Sequence, residues 1–182
     1  MSRYYYRENF FNTSTKPIEI FNEQNTAVYQ MALYYQSTVQ KVRGILGHLK
    51  YNFNITDNQN IYSSEREKAY KSLVSSKWHI YKNEKRIGEL RTVLSLRSKL
   101  VFKDQRGETL TFQSGFFSKS VKVYDGKKHL VMTTSSERFK IASRHDLHIL
   151  ESTHHDMLFI LLFQVFYEYQ EARRRAASSA ST

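Results

Sequence analysis

The most informative pattern in the chain is an almost uninterrupted hydrophobic run at positions 157–167. This run covers three helical turns and has almost no polar face, so a helix formed by it must be enclosed on all sides. Exposing about ten large side chains at roughly 2 kcal/mol each would cost on the order of 20 kcal/mol, more than the net stability of a domain. The pattern therefore predicts a helix buried either in lipid or inside a closed shell of strands.

The length of the run distinguishes these two environments. Crossing a bilayer core takes about 20 predominantly apolar residues, and this run ends at Glu168 with charged or strongly polar residues on both sides. We therefore predict no transmembrane span and a core helix at about 154–175, with Asp156 near its N-terminus and the arginines 173–175 at its C-terminus, where they complement the helix dipole. The central core residues are expected to be Leu158, Phe159, Leu162, Phe163 and Phe166.

The sequence before this helix alternates between apolar and polar positions, as half-buried strands do. Short polar turns divide it into five hairpins, which pair 18–21 with 28–35, 49–55 with 61–62, 78–81 with 87–90, 100–102 with 109–112, and 121–124 with 130–132. Asp125-Gly126 is the strongest turn signal, because a glycine supplies the positive φ of a tight hairpin. Further strands are predicted at 3–9, 139–143 and 147–151, and a short helix at 38–47.

About a dozen consecutive antiparallel strands are expected to curl and close, because closure removes exposed sheet edges. The fold class is therefore predicted as mainly β, a closed antiparallel barrel of about twelve strands around a central hydrophobic C-terminal α-helix that fills the lumen. We expect a single domain at 1–175 and a disordered Ala/Ser/Thr tail at 176–182.

A resemblance to a known family rests on the order of three features. A tryptophan-led strand beginning at Trp78 returns through Ile87-Gly88, hairpins with Asp-Gly-type turns follow, and Asp156 opens a hydrophobic terminal helix. This order is similar to the tubby C-terminal-like superfamily, which includes LURP-one-related proteins and phospholipid scramblases, and the short chain looks most like bacterial members. The resemblance implies a twelve-stranded barrel around a central helix and, for tubby-type domains, binding of phosphoinositide headgroups through basic surface residues.

The charge of the chain changes the functional picture. Its 28 Lys and Arg residues against 17 Asp and Glu residues give a net charge of +11. Basic residues concentrate in predicted hairpin turns, at the rim of the barrel, where they can attract anionic lipid or nucleic acid or can simply be solvated turn residues. The candidate ligand-binding residues are Lys82, Lys85, Arg86, Lys103, Arg106, Lys127 and Lys128.

Catalytic and metal chemistry find little support in the sequence. The chain has no cysteine, and it lacks a nucleophile elbow, a phosphate-binding glycine loop and an H-E-x-x-H motif. His145 and His148 should point to opposite faces of a strand, and the adjacent His154 and His155 should diverge. We therefore predict no enzyme activity, no cofactor and no metal site.

Three functions remain open. The first is a binding module that docks on anionic phospholipid through the basic residues, the second is a protein-interaction or scaffold protein, and the third, less favoured, is a nucleic-acid binder. The third would use basic residues interleaved with aromatics, as at 99–103. Because 1–8 contains no apolar segment, we expect no signal peptide and a cytoplasmic location, with peripheral attachment to a membrane under the first function.

Overall fold

The computed structural model describes residues 1–8, 14–35, 52–67, 76–95, 97–115, 118, 120–137, 143–151 and 153–179. These residues form twelve strands and a C-terminal helix, α1 (Asp156–Ser179). The strands are β1 (Ser2–Arg7), β2 (Ile18–Asn22), β3 (Ala27–Tyr34), β4 (Asn52–Thr56), β5 (Ile61–Arg66), β6 (Lys77–Lys82), β7 (Lys85–Thr92), β8 (Ser98–Asp104), β9 (Thr109–Ser114), β10 (Ser120–Asp125), β11 (Leu130–Glu137) and β12 (Arg144–Ile149).

Every strand pairs antiparallel with its neighbours in sequence, and β1 pairs with β12 from Ser2↔Ile149 to Arg7↔Arg144, which closes the barrel. The structure confirms the predicted closed antiparallel barrel. Because strand direction alternates, the short turns β2–β3, β4–β5, β6–β7, β8–β9 and β10–β11 all lie at one end, which we call the turn end. The chain starts at this end, and α1 also enters the barrel from it.

The alternation of buried and exposed positions in the strands produces the lumen. In β9, for example, Leu110, Phe112 and Ser114 are buried while the intervening residues are partly exposed. Large rings such as Phe53 and Phe102 also point inward and are fully buried. The inner wall is therefore mainly apolar and needs a mainly apolar filling.

Helix α1 supplies this filling. All residues from 157 to 170 are buried, although Gln164, Glu168 and Gln170 interrupt the apolar sequence. None of the predicted core residues is more than 2% exposed, and these residues are Leu158, Phe159, Leu162, Phe163 and Phe166. The prediction of a helix enclosed by strands is confirmed.

A polar network joins α1 to the inner wall. The Tyr6 hydroxyl donates to Gln164 Oε1 at 2.6 Å, and Gln164 Nε2 donates to Glu8 Oε1 at 3.3 Å. Nearby, the fully buried His145 shares a 2.8 Å hydrogen bond between its Nδ1 and Ser136 Oγ. Burial lowers the pKa of His145 to about 4. The acidic side chains around His145 raise this pKa, but their effect is smaller than that of burial.

The bounds of α1 differ from the predicted span. The helix begins at Asp156 and continues through Ser179, four residues into the stretch predicted as a disordered tail, because alanines 176 and 177 are strong helix formers. The arginines 173–175 therefore precede the last turn, which contains no basic residue. Arg174 instead pairs with Glu171 at 2.6 Å and donates to the Ser118 carbonyl at 3.0 Å.

Two further predictions fall wholly or mostly on residues outside the described ranges. The predicted helix at 38–47 lies outside them, as does the predicted strand at 139–143 except for Ser143. The strand predicted at 147–151 is instead β12, which begins at Arg144. Within the described ranges, no helix combines the length and the apolar character that crossing a membrane requires.

Candidate functional site

The seven predicted basic residues all lie at the turn end, on three hairpins that follow one another around the barrel. Lys82, Lys85 and Arg86 belong to the β6–β7 hairpin, Lys103 and Arg106 to β8–β9, and Lys127 and Lys128 to β10–β11. Lys82 is partly exposed and the other six are exposed. We call this set the basic rim.

The β8–β9 and β10–β11 turns are built in the same way. The leading carboxylate, Asp104 or Asp125, accepts hydrogen bonds from the backbone amides two and four residues later at 2.7 to 2.9 Å. The residue three positions after the carboxylate has a positive φ, 89° at Gly107 and 69° at Lys128. The prediction that Gly126 supplies the positive φ is therefore wrong, because the carboxylate organises a longer turn in which Lys128 takes that conformation.

Few anionic partners neutralise the basic rim. Among the described residues, Arg86 is the member of the rim that forms an ion pair, with Glu89 at 3.1 Å. The Lys82 ammonium lies 5.5 Å from the centroid of the Tyr62 ring. The Gln105 side chain donates to the Arg86 carbonyl at 2.8 Å and so connects two of the hairpins.

Charge is distributed unevenly around the turn end. The β6–β7, β8–β9 and β10–β11 turns with their flanks, 82–86, 103–108 and 125–129, contain seven basic and four acidic residues. By contrast, the β2–β3 and β4–β5 turns, at 22–26 and 56–60, contain Glu23 and Asp57 and no basic residue. The first three turns therefore carry a net positive charge, whereas the β2–β3 and β4–β5 turns carry a net negative one.

Aromatic residues surround the point where α1 enters the barrel. The Tyr4 hydroxyl donates to Asp156 Oδ2 at 2.7 Å, and burial together with this carboxylate raises the pKa of Tyr4 above its ordinary value. The Tyr4 and Tyr29 rings lie 5.5 Å apart, and His155 stacks on Tyr62 at 5.8 Å. The structure confirms Asp156 at the start of the helix and fixes it to β1.

A cavity of about 330 Å³ opens beside the basic rim, between the β10–β11 hairpin and the segment that precedes α1. Three of its lining residues are apolar, Leu110, Val131 and Phe159. The remaining lining residues are polar or charged, and they are Asp125, Lys127, His129, Glu151, Thr153 and His154. The cavity therefore combines apolar surface with one lysine of the basic rim.

One imidazole and two carboxylates, which are side-chain types that can bind metal ions, meet at the edge of this cavity. His154 Nε2 lies 3.6 Å from Asp104 Oδ2 and 3.6 Å from Glu108 Oε2. The imidazole belongs to the segment before α1, whereas both carboxylates belong to the β8–β9 turn. The three donor atoms all lie within 4.8 Å of one another.

The structure places the four histidines apart from one another, as predicted, but it also brings two carboxylates close to His154 that the sequence did not indicate. His145 points into the core and His148 points outward, while His155 lies against Tyr62 and His154 against the β8–β9 turn. The carboxylates near His154 precede it by more than forty residues, so spacing along the chain gives no signal for their proximity. Only the closed topology brings these groups together.

Two aromatic rings of types that stack on nucleotide bases, Phe102 and Trp78, are buried. Phe102, the aromatic residue between the lysines of 99–103, is fully buried, and Trp78 is 1% exposed. Trp78 therefore packs in the core. Neither ring presents a face on which a nucleotide base could stack.

A comparison with protein families identifies one match. A family model described as Tubby C-terminal like domain matches residues 4–169, which include most of β1, all of β2–β12 and more than half of α1. No curated protein and no solved structure matches the chain significantly.

Proposed function

This chain belongs to the Tubby C-terminal like domain family, and we propose that it is a non-enzymatic module that docks peripherally on anionic phospholipid through the basic rim. Tubby-like domains bind lipids or proteins and are generally non-enzymatic. The observation that carries the proposal is the convergence of seven basic residues from three successive hairpins at one end of the barrel.

The geometry of the basic rim suits a flat anionic surface better than a nucleic acid. Its residues lie in turns or at the adjoining strand ends at the same end of the barrel, so several of them can reach one membrane surface together. Each basic residue near such a surface contributes about 1 kcal/mol. Nucleic-acid binding without sequence preference combines positive charge with exposed aromatic rings, and Phe102 and Trp78 are buried.

The proposal is tested by sedimentation of the purified protein with two kinds of vesicle. One kind is neutral phosphatidylcholine, and the other contains added phosphatidylserine. We expect binding to the anionic vesicles alone, weakening as salt is raised because exposed charges are screened. Single-stranded DNA added as a competing polyanion should not displace the protein from the vesicles. Absence of vesicle binding would reject the proposal and favour a protein partner, whereas displacement by DNA would favour a nucleic-acid binder.

A charge-neutralised variant tests whether the basic rim is the surface used. Replacing Lys127 and Lys128 together by Gln removes about 2 kcal/mol of attraction, so the partition coefficient should fall about 30-fold. The matched control replaces Arg7 and Arg175 by Gln, which removes the same charge from exposed positions at the opposite end. If both double variants lose binding equally, net charge rather than the basic rim determines docking, and the assigned surface is wrong.

A further inference from the structure

The cluster of Asp104, Glu108 and His154 brings one imidazole and two carboxylates close together at the turn end. The two contacts from His154 Nε2 to the carboxylate oxygens are both 3.6 Å. Charge-assisted hydrogen bonds between nitrogen and a carboxylate are about 2.7–2.9 Å long, and a contact of 3.6 Å is too long for one. For ligands held at about 2.1 Å from a tetrahedral metal ion, the distance between ligand atoms is about 3.4 Å. The two nitrogen–oxygen distances are close to that value, and the three donor atoms all lie within 4.8 Å of one another.

Neighbouring groups orient each of the three donor atoms. Asp104 Oδ1 accepts the backbone amides of Arg106 and Glu108, both at 2.8 Å, and Oδ2 is the oxygen nearest to His154. Thr153 Oγ1 donates to Glu108 Oε2 at 3.2 Å. Such outer contacts are what orients ligands in metal sites.

The same threonine contacts the imidazole as well. Thr153 Oγ1 lies 3.2 Å from His154 Nδ1 and 3.2 Å from Glu108 Oε2. When its single proton goes to Glu108, His154 Nδ1 donates to Thr153, and Nε2 of the neutral imidazole then carries a lone pair and no proton. One nitrogen and two carboxylate oxygens within 4.8 Å of one another favour a cation between them.

We propose that Asp104, Glu108 and His154 form a binding site for a divalent transition-metal ion, with zinc as the best-matched ion. One imidazole nitrogen and two carboxylate oxygens are a donor set that zinc accepts, whereas calcium takes oxygen ligands alone. His154 and Asp104 are 13% and 14% exposed, and Glu108 is 50% exposed, so an ion can enter from solvent. This proposal replaces the expectation of no metal site and does not depend on lipid binding.

The bound ion would have two consequences for the molecule. It would join the β8–β9 turn to the segment that leads into α1, and so hold the entrance of the helix against the barrel. Because His154 also lines the cavity beside the basic rim, three protein ligands would leave a fourth coordination position for water or an anionic oxygen on that side.

The test is a calorimetric titration of the full, chelator-treated chain with Zn²⁺, and with Ca²⁺ for comparison. We expect one equivalent of Zn²⁺ to bind saturably, much weaker Ca²⁺ binding, and a rise in melting temperature with Zn²⁺ concentration. Glu108→Gln and His154→Gln should each weaken Zn²⁺ binding about tenfold or more, because each removes one of three ligands.

Matched controls separate this site from general surface binding. Glu84→Gln removes an exposed carboxylate from the β6–β7 turn, and His129→Gln removes an imidazole that lies 3.2 Å from Asp125 in the β10–β11 turn. Both should leave Zn²⁺ affinity within about twofold of the original. The proposal fails if the original chain binds no Zn²⁺, or if the control variants weaken binding as much as the site variants. Since Glu108 is half exposed, Glu108→Gln remains informative even if His154→Gln does not fold.

Discussion

Gly88 lies where the barrel wall leaves no room for a side chain, and its replacement by alanine gives a sharp test of the structure. Gly88 is buried in β7, between Ile80 of β6 and Asp104 of β8. A Cβ atom at this position would lie 2.6 Å from the Lys103 carbonyl oxygen and 2.6 Å from the Phe102 ring. Real Cβ atoms essentially never approach so closely, so the wall must shift to accept even a methyl group.

The cost of Gly88→Ala is the difference between two effects. Overpacking of a filled core costs about 1–3 kcal/mol. The upper end of this range applies here because the Lys103 carbonyl belongs to the backbone of β8. That backbone cannot move without disturbing the pairing of β8 with β7. Alanine recovers about 0.5–1 kcal/mol, because it restricts the unfolded chain more than glycine does. We expect a net loss of about 2 kcal/mol, or roughly 4–8 °C in melting temperature for a domain of this size.

The assay is urea unfolding followed by circular dichroism, with Gly115→Ala as the matched control. A Cβ atom on Gly115 would lie 3.4 Å from Ser118 Cβ, an ordinary contact, so this variant should stay within about 0.5 kcal/mol of the original. If Gly88→Ala proves as stable as Gly115→Ala, the close packing of β7 against Phe102 and the backbone of β8 is incorrect.

The remaining predictions concern the core. Because burial lowers the pKa of His145 from 6.5 to about 4, the unfolded chain binds more protons between these values, and stability should fall on the order of 3 kcal/mol as pH drops from about 6.5 to 4. The free energy of unfolding, measured in urea across this range, should depend less steeply on pH for His145→Gln than for the outward-facing control His148→Gln. Equal slopes would contradict the lowered pKa of His145 in the folded protein. Phe163→Asp should abolish cooperative thermal unfolding, since an unpaired charge enters the barrel centre, whereas Ala176→Asp at an exposed position should still melt cooperatively. A soluble, cooperatively melting Phe163→Asp variant would refute the central position of the helix.

The fold could be predicted from the sequence because its two signals are local and strong. A run of apolar residues around 157–167 requires enclosure, and alternation with polar turns marks the strands. The end of α1 was less predictable. Ala176 and Ala177 favour a helix, although the Ala/Ser/Thr composition of 176–182 is typical of a disordered tail. The β10–β11 turn also shows this limit, because Asp125 rather than Gly126 determines its form.

The basic rim could be predicted as a set of turn residues at the rim of the barrel, but not as a set at one end. That Lys82, Arg106 and Lys127 reach the same end follows from the even alternation of strand direction, which is a property of the whole barrel. The proximity of His154 to Asp104 was not predictable, because it depends on where the segment after β12 crosses the barrel mouth. Contacts between distant segments are specified by topology and packing rather than by local pattern.

The position of α1 at the end of the chain also determines when folding can be completed during synthesis. Strands β1–β12 leave the ribosome before the residues of 157–170 that fill their lumen, and β1 must wait for β12 before the sheet can close. Until α1 is available, the apolar inner wall has no partner, and the nascent chain exposes the surface that makes unfinished proteins aggregate. A prematurely terminated chain ending before Asp156 would therefore be a substrate for chaperones and proteases rather than a smaller version of the domain.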